Sequence, residues 1–554
     1  MRSVICRLVF SIAILQPSAQ VSTPDSPTYV AAVVEYSPDT GSPGDSVADI
    51  VSKNVAQYVP LIRRAAEQEV DIIVFPECGL VTYGSSTKFA TPLPHPDDRV
   101  NPCTDTSSNV AEAIRTLSCA ARNHSIYVVV NLPEVHPCPD ATNWSSSGVV
   151  YYNSNVVFDR NGTVVARYRK FNLFGEVWFN ITSEAELSVF DTDFGVTFGI
   201  FTCFDIIFEK PAVSLAKVLG VRDVVFPTAW YSELPFLTAV QAQASWSYGL
   251  DVNFLGAGYS LPGEGSAGSG IYAGKEGPLV TTMPGVPTTQ LLVAKVLKKT
   301  PRNTTPVLEN VWNAGDSIEA TPSPNIFSDV HRDNSGIWMM RDYLEPYETL
   351  LLTETEFFST HTLCHNELCC DFEVAMHTDN QGQNSLGKSY IYRLAVFDGI
   401  RSYTFKTGGV QVCAVMFCTN NSLSSCGYEM ETDEQERFAT VFDYIHISGN
   451  FRLNNSLQLP NTLLEDYKVL SADAFEFTRE EIPGESEVKV NMRTKKQNLN
   501  LLTFAIFGRD FSKDGGPVSQ PSVDDTNHAT VAHLLSPIAT LLCMNSYFYV
   551  KFLV

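Results

Sequence analysis

Basic residues are scarce in this chain of 554 residues, which carries 38 Lys and Arg against 61 Asp and Glu. The net charge of -23 argues against nucleic acid and anionic membrane surfaces as partners, because clusters of positive side chains bind both. Charged residues make up only 18 % of the chain and apolar residues 44 %. This balance is the opposite of that in disordered chains, and the length corresponds to two to four domains.

Repeats, low-complexity tracts and paired C-x-x-C motifs are also missing. Without Cys6 and Cys543, which lie in the terminal segments, 11 of the 13 Cys remain, so at least one thiol is expected to stay unpaired. We expect the Cys of the region 331–511 to form disulfides, with a structural zinc site as the less favoured alternative. These residues are Cys364, Cys369, Cys370, Cys413, Cys418 and Cys426.

Apolar stretches at the two ends of the chain indicate that the protein is secreted or held at the cell surface. Residues 1–20 combine Arg2 and Arg7 with an apolar run and small residues, which is typical of a secretory signal peptide; a buried N-terminal strand is the alternative. A polar spacer and hydrophobic end at 512–554 fit a GPI-attachment signal, with plain secretion or a transmembrane helix as alternatives. Seven N-x-S/T sequons favour a glycosylated, extracellular protein: Asn123, Asn143, Asn161, Asn180, Asn303, Asn420 and Asn454.

From residue 28 to about 300, apolar runs of strand length alternate with helix-patterned stretches. Several runs are apolar without alternation, as in strands covered on both faces. The pattern predicts an α/β domain with helices packed on sheets. The predicted strands are 30–36, 71–75, 125–131, 155–159, 196–202, 223–226 and 252–257. One predicted helix begins near Ser46, and three others span 109–122, 210–219 and 234–250.

After residue 300, the alternation of strand and helix patterns ends. Residues 301–330 contain Thr-Pro and Ser-Pro steps that predict a linker. In the region 331–511, strand-like runs at 390–397, 410–417, 438–447 and 501–507 follow one another with little helix. Together with the Cys cluster, this pattern predicts a second, smaller, disulfide-rich, mostly β domain.

Three short segments place polar groups beside predicted strands. Glu77 follows the run 71–75, Cys203 follows the run 196–202, and Lys170 lies between them in a basic segment. In open α/β sheets, ligands bind at the carboxyl ends of the strands. We therefore expect a carboxylate, an ammonium and a thiol to converge.

Such a trio fits acyl-transfer chemistry. A thiol is nucleophilic only as the thiolate, and a neighbouring carboxylate can accept its proton. The ammonium and the backbone N–H of Phe204 would stabilise the oxyanion, and no metal is needed. Each residue also has an ordinary structural explanation, as a buried or bridged cysteine, a turn carboxylate or a solvated lysine, so this reasoning alone leaves catalysis open.

The three segments resemble the catalytic motifs of the nitrilase (carbon–nitrogen hydrolase) superfamily, and more closely those of its vanin/biotinidase branch. Further similarities are found in both halves of the chain, from about residue 28 to 511. The three motifs are Phe75-Pro-Glu-Cys-Gly79, Tyr168-Arg-Lys-Phe-Asn-Leu-Phe-Gly-Glu176 and Gly199-Ile-Phe-Thr-Cys-Phe-Asp205.

The resemblance implies a role for each site residue. Cys203 would be the nucleophile and therefore the remaining free thiol, Glu77 the general base and later acid, and Lys170 the group that stabilises the tetrahedral intermediate. Glu176 matches the second glutamate of the family, which positions the site. Trp230 lies in another matching segment and is expected on the substrate side.

The resemblance also implies the fold, an αββα sandwich followed by the smaller β-rich domain. One departure from the family pattern is Cys78, beside the expected base, which would either pair with another cysteine or stay buried and reduced. No cofactor is expected. We expect a secreted monomer or weak homo-oligomer that contacts membranes only through a GPI anchor.

Members of the branch hydrolyse pantetheine or biotinyl amides, which are secondary amides with a polar acyl chain. We expect pantetheine, cleaved to pantothenate and cysteamine, as the substrate. Biotinyl amides are the alternative within the same chemistry. A secreted binding protein without turnover is the alternative of another class.

Overall fold

The computed structural model describes residues 21–82, 86–107, 109–138, 148–300, 331–332, 336–352, 358–379, 389–430, 439–481 and 483–519. The predicted signal peptide and linker lie outside these residues, as do Asn143, Asn303 and the tail from residue 520. Among the described residues, no helix combines the length and apolarity needed to cross a bilayer.

The N-terminal domain alternates strands and helices. Its strands are β1 (Thr28–Glu35), β2 (Ile72–Val74), β3 (Tyr127–Pro137), β4 (Val149–Phe158), β5 (Val164–Arg169), β6 (Val189–Asp191), β7 (Thr197–Ile200), β8 (Asp223–Thr228), β9 (Glu233–Leu234), β10 (Asn253–Gly258), β11 (Ser269–Ala273), β12 (Pro278–Thr282) and β13 (Gln290–Leu297). Its helices are α1 (Val47–Ala66), α2 (Glu112–His124), α3 (Ser214–Lys217) and α4 (Ala239–Leu250).

These strands form two six-stranded sheets, in the orders β13-β1-β2-β3-β4-β5 and β12-β11-β10-β8-β7-β6. The central strands of each sheet run parallel, and antiparallel strands flank them. The carboxyl ends of the parallel strands β2, β7 and β8 carry the segments in which the sequence predicts the site.

Strand β1 is covered on both faces, which explains its unbroken apolar sequence. Ala31 and Val33 pack into the interior shared with the second sheet, whereas Ala32 and Val34 pack against residues of α1 and α2. On the second sheet, Trp246 of α4 packs on aromatic rings of neighbouring strands. The layers are therefore helix, sheet, sheet and helix, which confirms the predicted αββα sandwich.

The C-terminal domain is built almost entirely from antiparallel strands. They are β14 (His331–Arg332), β15 (Trp338–Arg341), β16 (Glu348–Leu351), β17 (Ser359–His365), β18 (Leu368–Asp379), β19 (Ile391–Ser402), β20 (Thr407–Cys418), β21 (Ala439–Arg452), β22 (Ser456–Leu464), β23 (Phe475–Glu481), β24 (Glu487–Thr494), β25 (Asn498–Leu499) and β26 (Leu501–Asp510). One sheet has the order β16-β19-β20-β26-β22, and the other contains β17-β18-β21-β24-β23 with β25 paired to β21.

Disulfides cross-link the strands and turns of this domain, as the sequence predicts. The six Cys of the region 331–511 all pair, so the alternative of a zinc site is wrong. The disulfides found in the described residues are Cys364–Cys369, Cys370–Cys413 and Cys418–Cys426 in this domain, and Cys103–Cys119 in the first.

The two domains share a polar and packed interface. Helix α4 lies between the second sheet and β22, where Gln241 Nε2 donates to Asn461 Oδ1 at 2.9 Å. Strand β9 pairs in parallel with β15 of the other domain. Arg401 NH2 of β19 lies 2.5 Å from Glu233 Oε1 of β9, and both side chains are nearly buried. These contacts fix the C-terminal domain beside the end of the sandwich where the predicted site lies.

Three predicted helices have other bounds in the structure, and the one predicted over 109–122 is α2, Glu112–His124. Helix α4 begins at Ala239 rather than near 234, because Thr238 caps it: its hydroxyl accepts the Gln241 N–H, and Gln241 Oε1 accepts the Thr238 N–H. The predicted helix 210–219 is reduced to α3, preceded by a wider turn over Glu209–Val213 that contains Pro211. Proline lacks the N–H that a regular helix requires at this point.

Candidate active site

The ends of several strands bring the predicted site residues to one place. Glu77 follows β2, Cys203 follows β7, and Ala229 follows β8, the parallel neighbour of β7. Lys170 follows directly after β5. The exposed fractions are 1 % for Glu77, 2 % for Lys170 and 6 % for Cys203, so this site is shielded from bulk water.

Lys170 joins two buried glutamates. Its Nζ donates to Glu77 Oε1 at 2.8 Å and to Glu176 Oε1 at 2.7 Å. Burial alone lowers the pKa of the Lys170 ammonium, but the charges of Glu176 and Glu77 outweigh it and hold that pKa well above its usual value. The lysine is therefore a fixed positive charge at neutral pH.

The second oxygen of Glu77 points to the cysteine side of the site. Oε2 accepts the backbone N–H of Ala229 at 3.1 Å, and the same N–H interacts with the Cys203 thiol. Burial raises the pKa of that thiol well above its usual value; the charge of Glu77 adds to the rise, and the charge of Lys170 opposes it. The resting thiol is consequently neutral and needs a proton acceptor before it can act as a nucleophile.

A buried aspartate shapes the turn that presents Cys203. Cys203 has φ 48°, a left-handed conformation that is uncommon outside glycine, and it is the first residue of a short helix over Cys203–Ile207. Asp205 Oδ2 accepts the Thr202 N–H at 3.1 Å and the Tyr168 hydroxyl at 2.6 Å. Its other oxygen accepts both the N–H and the Nδ2 of Asn172, at 2.8 and 2.9 Å. Asp205 therefore couples the cysteine turn to the segment that follows Lys170.

Asn153 is a site residue that the sequence reasoning missed. Its Nδ2 donates to Glu77 Oε1 at 2.7 Å and to Glu176 Oε1 at 2.9 Å, and its backbone carbonyl accepts the Lys170 N–H at 2.8 Å. Asn131 Nδ2 in turn donates to Asn153 Oδ1 at 2.7 Å. The amide of Asn153 thus spans the same two carboxylates as the lysine.

A signal for Asn153 exists in the sequence. Asn153 and Asn155 occupy alternate positions of β4 and so share one face. Asn155 reaches Thr202, the residue before the nucleophile, by donating from Nδ2 to Oγ1 at 2.8 Å. Two amides on one face of the buried half of a strand are costly unless they are hydrogen-bonded, and this cost points to a buried polar site.

Replacing Asn153 with alanine is expected to lower kcat by about 10- to 100-fold with little change in KM, because the glutamates lose a shared donor and Glu77 loses its fixed orientation. Steady-state kinetics with an amide substrate measure kcat and KM separately. Ser154→Ala is the matched control: Ser154 is also buried, and its hydroxyl donates to the remote Glu134 at 2.7 Å. Equal losses in both variants would contradict a positioning role.

A pocket of about 440 Å³, open to solvent, leads to Cys203. Phe204 forms part of its wall, next to the nucleophile. Trp230 also lines it, but its indole N–H donates to Leu237 O at 2.8 Å, so the ring offers the substrate an apolar surface. The remaining walls come from Phe174, Ile207, Ala229, Tyr231, Glu233, Leu237, Met340, Tyr403 and Thr404.

The prediction of a single free thiol at Cys203 is wrong. Cys78, which follows Glu77, is also reduced and is 9 % exposed. The residue has φ 57°, and its N–H donates to Asn131 Oδ1 at 3.0 Å. Burial raises the pKa of its thiol well above its usual value, so this thiol is protonated at neutral pH.

Most described sequons are accessible. Asn123, Asn161, Asn420 and Asn454 are exposed. Asn180 is half-buried, and its Oδ1 accepts the N–H of Tyr151 at 2.9 Å.

Within the part of the chain that the structure describes, no group of three or more His, Cys, Asp or Glu side chains is arranged to hold a metal ion.

Comparison with known proteins assigns both halves of the chain. The carbon-nitrogen hydrolase family matches residues 30–235, and the vanin C-terminal domain matches residues 337–514. Vanin-like protein 1 of Drosophila melanogaster is 36 % identical over 513 residues, which cover 90 % of this chain and 88 % of that protein. Pantetheinase of Mus musculus is 31 % identical over 543 residues, covering 93 % and 95 %. Biotinidase of Takifugu rubripes is 30 % identical over 508 residues, covering 87 % and 94 %.

The sandwich fold and the family match define an enzyme of the carbon–nitrogen hydrolase class. Because the similarity extends through the C-terminal domain and over nearly the whole length of these relatives, the chain belongs to the vanin/biotinidase branch of the nitrilase superfamily. The resemblance inferred from the three motifs is thereby confirmed, and the enzyme is an amidohydrolase.

Proposed function

We propose that the enzyme hydrolyses pantetheine to pantothenate and cysteamine, through a thioester on Cys203. The observation that carries the mechanism is the position of the Glu77 carboxylate between Lys170 and the backbone N–H of Ala229. One oxygen of its carboxylate binds the Lys170 ammonium, and the other binds the Ala229 N–H that also interacts with the Cys203 thiol. The charges of Glu77 and Lys170 therefore act on Cys203, and Cys203 lines the pocket.

Acylation begins when Glu77 accepts the thiol proton and the Cys203 sulfur attacks the amide carbon. The negative charge that develops on the carbonyl oxygen is stabilised by Lys170 and the Phe204 N–H. Glu77 then gives its proton to the amide nitrogen, the C–N bond breaks, and the amine leaves. The acyl group remains on sulfur as a thioester.

Deacylation repeats these steps with water. Glu77 accepts a proton from the water, whose oxygen attacks the thioester carbon. When the second tetrahedral intermediate collapses, the C–S bond breaks, and the proton held by Glu77 returns to Cys203. The products are a carboxylic acid and an amine, and the enzyme returns to its starting state.

The choice of pantetheine is supported by the relatives that have that activity. Pantetheinase of Mus musculus aligns over nearly its whole length. Biotinidase of Takifugu rubripes does so as well, which makes biotinyl amides the second candidate. Either substrate is a secondary amide with a neutral, polar acyl group, and the mechanism is the same for both.

The purified enzyme is assayed with pantetheine and biotinyl-lysine side by side. We expect release of cysteamine and pantothenate, with kcat/KM for pantetheine at least about 10-fold above that for biotinyl-lysine, the discrimination that a few pocket contacts provide. A reversed ratio would transfer the proposal to biotinyl amides. Absence of turnover with both, in protein whose Cys203 is intact by mass spectrometry, would contradict the proposed activity and favour a binding role.

We also propose that the protein acts outside the cell, either soluble or GPI-anchored. Disulfides persist in oxidising compartments, and the exposed sequons described above are compatible with glycosylation there. Treatment of expressing cells with phosphatidylinositol-specific phospholipase C distinguishes the anchored form, which it releases, from the soluble form in the medium.

A further inference from the structure

One wall of the pocket comes from the C-terminal domain. Strands β19 and β20 pair up to Ser402 and Thr407, and the turn between them consists of residues 403–406. We call this segment the pocket turn. Tyr403 and Thr404 of the pocket turn line the same cavity as Cys203, although they lie about 200 residues away in the chain.

Several contacts hold the pocket turn in place. Lys406 Nζ donates to Asn172 Oδ1 at 2.7 Å, and Asn172 is bound by the Asp205 carboxylate of the cysteine turn. The ring of Phe405 lies 5.8 Å from that of Phe174, edge to face. The turn is therefore attached to the segment that carries the lysine and to the segment that carries the nucleophile.

Two hydroxyl groups of the pocket turn are buried without a hydrogen bond. The oxygens of Tyr403 and Thr404 have no partner among the residues that the structure describes. Tyr403 is 5 % exposed, and its ring is fixed by the guanidinium groups of Arg401 and Arg509, at 4.5 and 5.6 Å from the ring centroid. Buried hydroxyls usually have a partner, so two without one in residues that line a pocket are candidates for binding a ligand.

The backbone at Thr404 supports this interpretation. Its φ of 71° is left-handed, which a β-branched residue rarely adopts. Asparagine or glycine would relieve the strain, yet a threonine occupies the position. Strained residues of this kind occur where a side chain must be held at a functional site.

We propose that the hydroxyls of Tyr403 and Thr404 bind the acyl part of the substrate, and that they select amides whose acyl chain carries neutral hydrogen-bonding groups. This assignment rests on the proposed amidohydrolase site. The other walls favour the same substrate class, because aromatic and aliphatic side chains dominate them and the Glu233 carboxylate is bound by Arg401. Burial raises the pKa of the Tyr403 phenol, which stays protonated and can donate at neutral pH.

The test compares two amides that release the same amine. Pantetheine carries hydroxyl and amide groups in its acyl part, whereas N-hexanoyl-cysteamine carries none. Tyr403→Phe and Thr404→Val each delete one hydroxyl and keep the shape of the side chain. We expect each to lower kcat/KM for pantetheine about 10-fold, as for loss of a hydrogen bond to substrate, and to change kcat/KM for N-hexanoyl-cysteamine less than about twofold.

Two controls accompany these variants. Thr404→Ser keeps the hydroxyl and should retain activity on pantetheine. Tyr272→Phe deletes a hydroxyl that is also buried without a partner in the described structure but lies outside the pocket lining, and it should leave both substrates unaffected.

Equal losses on both amides, or no loss on pantetheine, would overturn the assignment of the pocket turn. The wild-type enzyme, measured in parallel, separates this result from failure of the proposed function. Wild type inactive on both amides would overturn the proposed hydrolysis of pantetheine, and the assignment of the pocket turn would fall with it.

Discussion

Cys203→Ala is expected to abolish amide turnover, with a loss on the order of 10⁴-fold or more, because no other group can form the acyl intermediate. The measurement is single-turnover and steady-state release of cysteamine from pantetheine. The side chain is small and borders the pocket, so alanine leaves only a slightly larger cavity. Folding should therefore persist.

The neighbouring thiol provides a matched control. Cys78 is reduced and buried beside Glu77, and the mechanism assigns it no step. Cys78→Ala should retain activity within a few-fold of wild type. If Cys203→Ala kept turnover, or if Cys78→Ala lost it completely while remaining folded, the assignment of the nucleophile would be wrong.

Glu77→Gln is expected to lower kcat/KM by about 10³-fold, within the range of general acid–base catalysis. The thiol, whose pKa burial raises, then has no base to accept its proton. The amide also brings a donor into a site where both oxygens now accept N–H groups, from Lys170, Asn153 and Ala229. Orientation as well as basicity is lost.

Alkylation of Cys203 provides a second readout for this variant. Iodoacetamide should modify Cys203 of Glu77→Gln more slowly than that of wild type, because less thiolate forms without the base. The fold should be retained, since Glu176 still pairs with the Lys170 ammonium. An unchanged alkylation rate together with unchanged kcat/KM would contradict the role of Glu77 as base.

The sequence predicts the strand ends of the site well, for a local reason. An apolar run followed at once by a polar side chain marks the end of a buried strand, and this pattern places Glu77 and Cys203 correctly beside β2 and β7. The α/β character of the first domain and the disulfide-rich second domain follow from patterns of the same short range, whereas the αββα layers were implied only by the resemblance to the nitrilase superfamily.

The polar half of the site was harder to predict because it interrupts those patterns. The predicted strand 155–159 omits the first part of β4, which begins at Val149, because the polar Asn153 and Ser154 interrupt its apolar residues. Strand β5 was missed because basic residues alternate with its apolar ones. Asn153 in β4 binds the two buried glutamates of the site, whereas Arg167 and Arg169 in β5 bind the buried Glu134.

The contribution of the C-terminal domain could not be predicted from local sequence. Contacts between the domains bring Tyr403 and Thr404 to the pocket, among them the pairing of β9 with β15 and the ion pair of Arg401 with Glu233. These contacts join residues separated by more than 100 positions. Neither periodicity nor motif spacing encodes such a register.

The acyl intermediate tests the central claim most directly. The enzyme is mixed with excess pantetheine, quenched in acid within the first turnovers, digested and examined by mass spectrometry. We expect the peptide that contains Cys203 to carry the pantothenoyl group as a thioester, and the same peptide of Cys203→Ala to carry none. An acyl group on another residue, or rapid turnover with an unmodified Cys203 at every quench time, would contradict covalent catalysis at this sulfur.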